Sequence, residues 1–245
     1  MPRTVSTPKP SSPKSPPNAA PPARRRQVDR TREARLRLRE AAIDVLMERG
    51  YTGLTTKEVI VRAGVSNGAL MHHYASKMEL VIDATADIYE VAIERGQRIA
   101  RTPAAHHDPV EGFIKDCMSV YFEWPFIAAL EVLVAARTDP PLMEKILPVM
   151  QRYRSLTNEL WLSVFTDAGA TSAQAELVLN LTLNLVRGMA VNSLWQKNMK
   201  QYKGQLAQWA QVARAMLGGV VPPPVERGSR RAGDATLAAV RSSRA

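Results

Sequence analysis

The stretch LREAAIDVLMERGYTGLTTKEVIVRAGVSNGALMHHYASKMEL, residues 38–80, decides how this chain is read. It opens inside a helix predicted over 31–49, where Leu38, Ala41, Ala42, Val45 and Leu46 recur at three- and four-residue spacing and form one apolar face. Arg35, Arg39, Glu40, Asp44 and Glu48 keep the other face wet, and Gly50 stands where a C-cap residue would end the helix. A second, short helix follows. Thr55 is its N-cap, Glu58 completes a capping box, Val59, Ile60 and Ala63 are its apolar contacts, and Gly64 stops it. Val65 fills the turn, and Ser66 caps a third helix that reaches Tyr74. Ser76 and Glu79 make another capping box that opens a long fourth helix to about residue 98.

Three helices in about fifty residues, the second and third joined by the tight turn Ala63-Gly64-Val65-Ser66, form a helix-turn-helix. The second helix of such a pair fits a major groove about 12 Å wide and carries its leading residues to the base edges. Here those residues are Ser66, Asn67, Gly68 and Ala69, small enough for close backbone approach. Asn67 is the candidate for a base-edge hydrogen bond and Ser66 for a phosphate contact, with His72 on the groove side.

The ordered series of the two alanines at 41–42, Gly50-Tyr51, Thr55-Thr56, the AGVS turn, Gly68, Leu70, His73-Tyr74, Ser76-Lys77 and Glu79-Leu80 resembles the DNA-binding domain of the tetracycline-repressor (TetR) family of bacterial transcriptional regulators. The resemblance implies DNA contacts from Thr56, Ser66, Asn67, Gly68, Ala69, His73 and Lys77, and a helix-turn-helix core of Val59, Ala63, Gly64, Val65, Leu70 and Tyr74. Two positions depart from the family pattern. Met71 stands where a backbone-touching tyrosine is usual, and Ile60 replaces a small alanine between the second and third helices.

Outward from this domain nearly everything has helical character, with helices predicted over 109–122, 125–136, 142–166, 172–197 and 201–217, and a break at 102–108 that holds His106-His107. The expected fold is all-α: a three-helix helix-turn-helix domain at 29–83 and a helical ligand-binding and dimerisation body at 84–218, about nine helices in total. The helix at 172–197 is apolar over a wide arc, with Asn180, Asn184 and Arg187 as a narrow polar stripe. Pairing it and the last helix with their symmetry mates would bury the extra apolar surface, which names Leu181, Leu185, Met189, Trp209 and Met216 as homodimer-interface candidates.

Charge divides unevenly. The chain carries +10, of which residues 1–30, with seven basic groups and one acid, hold +6, while 84–218 hold thirteen of each sign. Eight prolines fall in the first 22 residues, so 1–28 are expected to stay disordered, a basic arm able to meet phosphates. The basic stretch 219–245 reads the same way. One cysteine, Cys117, rules out an internal disulfide. Neither histidine pair has a carboxylate or cysteine at ligand spacing, and no phosphate loop, nucleophile elbow or HExxH sequence is present, so no metal, cofactor or enzymatic activity is expected. No apolar run approaches the ~20 residues of a membrane span, which points to a cytoplasmic, nucleoid-associated protein without a membrane partner.

The partners expected are a double-stranded DNA operator, a second copy and a small-molecule effector. The family's plan places the effector between body helices, and the candidates for its pocket are Cys117, Met118, Tyr121, Phe122, Trp124, Phe126, Trp161 and Phe165. The leading function is a repressor released by its effector. An activator of the same family, and a sequence-nonspecific architectural DNA binder that uses the basic tails, remain as alternatives.

Overall fold

The computed structural model describes residues 22–123 and 125–218; the expected tails lie outside them except for 22–28. Among the described residues ten α-helices form the molecule: α1 (Pro22–Gly53), α2 (Thr56–Ala63), α3 (Asn67–His73), α4 (Lys77–Ala100), α5 (Pro103–His107), α6 (Pro109–Tyr121), α7 (Phe126–Ala136), α8 (Pro140–Asp167), α9 (Ser172–Asn192) and α10 (Met199–Met216). Three boundaries differ from the sequence reading. The backbone of 22–28, expected to be disordered, is helical, because behind Pro22 at the first turn the segment consists mainly of helix-tolerant Ala, Arg and Gln. Residues 103–107 form a short helix where a loop was expected, started by a Thr102 cap and Pro103. The helix expected to reach 197 ends at Asn192, with no glycine or proline to mark the stop.

Local signals set the reader. Gly50 adopts φ 66°, ψ −178°, a region open essentially to glycine, and breaks α1 one turn before its end. The Oγ atoms of Thr55, Ser66 and Ser76 accept the N–H groups of Glu58, Ala69 and Glu79, capping α2, α3 and α4. The reciprocal halves of the two expected capping boxes are diverted. Glu79 accepts from the Ala75 N–H (2.8 Å), and Glu58 pairs with Arg49 (2.9 Å).

Two apolar cores result. One joins Phe113, Cys117, Tyr153, Trp161, Phe165, Leu183 and Met189 with much of α9 and α10. The other contains Leu38, Val45, Val59, Ala63, Leu70, Tyr74 and Leu80, and continues into Ala128, Val132 and Ala136 of α7 and Leu142 and Ile146 of α8. The boundary expected after residue 83 therefore does not divide the cores: α7 and the start of α8 pack under the helix-turn-helix.

The third helix is held by a charged clamp on α4. The Tyr74 hydroxyl, otherwise buried, donates to Asp83 (2.6 Å), and Arg35 of α1 donates to both oxygens of the same carboxylate (2.7 and 3.1 Å). Arg39 adds a pair to Asp87 at 3.3 Å. Burial works against the Asp83 charge, but the hydrogen bonds from Arg35 and Tyr74 outweigh it and hold the carboxyl below its usual range.

In the body, Asp116 of α6 is buried and takes the Trp161 Nε1–H (2.7 Å), while its Oδ1 finds no hydrogen-bond partner among the described residues. Gly96 of α4 makes room for it, since a Cβ there would lie 2.9 Å from the carboxylate. Burial, partly offset by the Trp161 hydrogen bond, pushes its pKa up to about 6.

Two outcomes follow for stability. Tyr74→Phe leaves Arg35 on Asp83 and is expected to cost about 1.5 kcal/mol, the low end for a hydrogen bond to a charged group, measured by urea unfolding. Asp116 keeps its proton in the folded state to about pH 6 but loses it near 3.8 when unfolded, so its contribution to stability falls as pH rises through that window, by roughly 3 kcal/mol. Asp116→Asn removes this decline; wild type and variant showing the same change in unfolding free energy between pH 4 and 7 would contradict the assignment.

Candidate nucleic-acid interface and body cavity

The leading edge of α3 is open. Asn67, Gly68, Met71 and His72 are exposed and share one face of the helix, Ala69 is half-buried, and Ser66 at the cap is exposed. On the opposite face Leu70 is buried, and Tyr74 follows it into the core. Val59 and Ala63 are buried with them, Val65 is half-buried, and Gly64 closes α2 in the left-handed conformation. Ile60 is accommodated half-buried at the edge of the same core. The Ser66 oxygen is used as a cap, which leaves its O–H free to donate.

Three residues expected at DNA are placed in more constrained settings. Thr56, at the start of α2, is half-buried. Lys77 donates to the Tyr51 carbonyl (2.7 Å) and lies 4.5 Å from the centre of the Tyr51 ring, so its ammonium ties the start of α4 to the end of α1 and keeps two donors for a phosphate. His73 is half-buried; burial first, then His72 and Arg35, lower its pKa, which favours the neutral, hydrogen-bonding imidazole. Arg35 and Asp83, which orient α3 through Tyr74, were missed from sequence because their pairing spans 48 positions.

The body holds a cavity of about 660 Å³ between α4, α6, α7, α8 and α9. Tyr89, Tyr121, Phe126, Ala129, Leu130, Leu133, Leu147, Met150, Gln151, Tyr153, Arg154, Ser155, Asn158, Leu183, Asn184 and Arg187 line it. Of the residues expected there, Tyr121 and Phe126 are present, their rings edge to face at 4.7 Å. Trp161 and Phe165 are instead fully buried around Phe113, and Cys117 is buried in the same core. Met118 and Phe122 pack against that core, Phe122 5.7 Å from the Tyr202 ring, and Trp124 lies outside the described residues. Large aromatic rings at helical spacing fill cores and cavities alike, so the pattern did not separate them. A usable signal was the polar stripe of the helix at 172–197: Asn184 and Arg187 face the cavity, and Asn180 accepts from Arg154 at its margin.

Of the interface candidates, Leu181 is 41% exposed, and Leu185, Trp209 and Met216 are half-buried; the Trp209 indole donates to Thr182 (2.8 Å). Met189 is a correction: it is buried inside the body core. Leu177 and Val212, 49% and 51% exposed, extend the open apolar face of α9 and α10. Among the described residues no single helix is long and apolar enough to cross a membrane, and no cluster of three or more His, Cys, Asp or Glu is arranged to hold a metal.

Comparison with known proteins agrees with this geometry. Residues 38–84 match the family model described as bacterial regulatory proteins, tetR family. The HTH-type transcriptional regulator CymR of Pseudomonas putida is 34% identical over 193 residues, covering 79% of this chain and 95% of that protein. A crystal structure of a transcriptional regulator from Rhodococcus sp. RHA1 superposes with a TM-score of 0.59 at 24% identity, covering 75% of this chain and 95% of that one. The transcriptional regulator FadR of Bacillus subtilis, solved in complex with stearoyl-CoA, shares the fold with a TM-score of 0.52 at 15% identity, over 76% and 97% of the two chains. This chain belongs to the TetR family, and it is a sequence-specific DNA-binding transcriptional regulator.

Proposed function

We propose that the protein is a cytoplasmic, homodimeric repressor whose paired α3 helices read the half-sites of a palindromic operator on the nucleoid, and that a small molecule in the body cavity releases it. The observation that carries this reading is that three helices are shared by cavity and reader, α8 giving Leu147 and Met150 to the cavity and Leu142 and Ile146 to the reader core. Helix α4 carries Tyr89 to the cavity and Asp83 to the clamp on α3. Helix α7 gives Phe126, Ala129, Leu130 and Leu133 to the cavity and Ala128, Val132 and Ala136 to the reader core. A ligand that fits one arrangement of these helices better than another shifts the spacing of the two readers, and only that difference in affinity can do so.

The contacts follow from the exposed face of α3. Asn67 addresses a base edge, with Gly68, Ala69, Met71 and His72 beside it, while Thr56, Ser66, His73 and Lys77 address the backbone. The basic segment 1–30 supplies further phosphate contacts. Dimerisation across α9 and α10 covers Leu177, Leu181 and Val212 and sets the half-sites about 34–36 Å apart. That FadR, of the same fold, holds stearoyl-CoA supports a ligand-bearing body.

Selection of duplexes from a random pool is expected to return a two-fold symmetric motif. Asn67→Ala relaxes discrimination at one base pair in each half-site by ~1–3 kcal/mol; an unchanged motif removes Asn67 from base reading. Because Leu181 is already 41% exposed in the single chain, Leu181→Asp leaves the protomer folded while shifting it to monomer in sedimentation velocity. Wild-type protein that sediments as a monomer at micromolar concentration, with and without duplex, contradicts the dimer.

A further inference from the structure

The cavity has a charge pattern that narrows what it accepts. Arg154 of α8 and Arg187 of α9 both line it, and among the described residues no aspartate or glutamate does. Arg187 donates to the Tyr121 hydroxyl (3.2 Å) and lies 5.6 Å from that ring's centre; Arg154 donates to Asn180. These partners are neutral, and among the described residues neither arginine has a carboxylate within ion-pair distance. The phenols do not compensate, since burial raises the pKa of Tyr121 and Tyr153 and pushes Tyr89 up to about 12. Burial and the neighbouring Arg187 lower the pKa of Arg154, whereas that of Arg187 is raised, burial being outweighed by Tyr121 and the other phenols.

Two like charges gathered in a partly enclosed, largely apolar space are costly unless a counter-charge joins them. We propose that the cavity takes an amphipathic organic anion, a single carboxylate held between Arg154 and Arg187 with an apolar tail against Phe126, Leu130, Leu133 and Leu147. The proposal rests on the reading of this cavity as the effector site and specifies the ligand's chemistry. A guanidinium pair supplies parallel N–H donors suited to a planar carboxylate. Asn158 and Ser155 stand nearby for its remaining lone pairs. The volume, about 660 Å³, falls in the range of small-molecule sites and suits a compact aryl or medium-chain alkyl tail.

The test is calorimetric titration of the full-length protein with benzoate, 4-phenylbutyrate and octanoate, each against its primary amide, together with phenyl phosphate. At least one carboxylate is expected to bind at least tenfold more tightly than its amide and to lower affinity for the selected duplex. Arg187→Met and Arg154→Gln each weaken the carboxylate at least tenfold and leave the amide unchanged. Arg187 is exposed and Arg154 half-buried, so neither substitution empties a packed core and each variant tests the proposal if the other fails to fold; retained duplex binding certifies the fold.

An amide that binds as tightly as its acid, or carboxylate affinity unchanged in Arg154→Gln, overturns the anion assignment. If such a neutral compound still releases the duplex, the cavity stands as the effector site and only the ligand class falls. Phenyl phosphate binding above every carboxylate overturns the choice of head group. No binding by any of the three acids up to millimolar concentration, with duplex binding intact, overturns the proposal and leaves the DNA-reading role untouched.

Discussion

The carboxylate of Asp83 is the interaction on which the arrangement of the reader depends. Helix α3 has seven residues, too few to be stable by its own hydrogen bonds, and it exposes one whole face to solvent. Its position is fixed from behind by Leu70 in the core and by Tyr74, whose hydroxyl reaches Asp83 on α4. The same carboxylate receives both donors of Arg35 from α1, so one acidic side chain sets three helices against each other. Phenylalanine would pack at 74 but would not join that network, and so would leave the far end of α3 without its polar link to α4.

From Asp83 the constraint travels along a continuous helix. Tyr89 stands on α4 between the clamp and the body, with its ring 4.8 Å from Tyr153 at the cavity wall. A second route runs through α7, whose opposite faces belong to cavity and reader core. Glu131 on that helix sits so close to Gly50 that a Cβ there would meet its carboxylate at 2.6 Å. Movement of α7 therefore acts on α1 directly and does not have to pass through α4. The cores of reader and body are separate, but both are built on α4 and α8, which makes the body's packing part of the reader's geometry.

The helix-turn-helix was legible because each of its elements is fixed by near neighbours: Thr55, Ser66 and Ser76 cap the helix that follows them, Gly50 breaks α1 near its end and Gly64 ends α2. The long-range features were not. Asp83 reads as an ordinary wet residue until Arg35 is brought to it, and Asp116 reads as a surface acid until Trp161 closes over it. The apolar arc of α9 showed that more than one surface must be covered, yet could not say that Met189 faces its own core while Leu181 faces out. The polar stripe of the same helix was visible, but its meaning required α8 to bring Arg154 to Arg187. The start of α1 was misjudged because proline count and charge describe a segment's average composition, while a helix needs only a suitable first turn and helix-tolerant residues after it.

The most direct test of the clamp is the distance distribution between spin labels on the two α3 helices of the dimer. Met71 is exposed, and the single native cysteine, Cys117, is buried, so Met71→Cys places the label selectively. Without DNA the width is expected to stay narrow in this background and to broaden markedly when Asp83→Asn is added. Equal widths with and without the Asp83 carboxylate would contradict the claim that this clamp orients the reading helix.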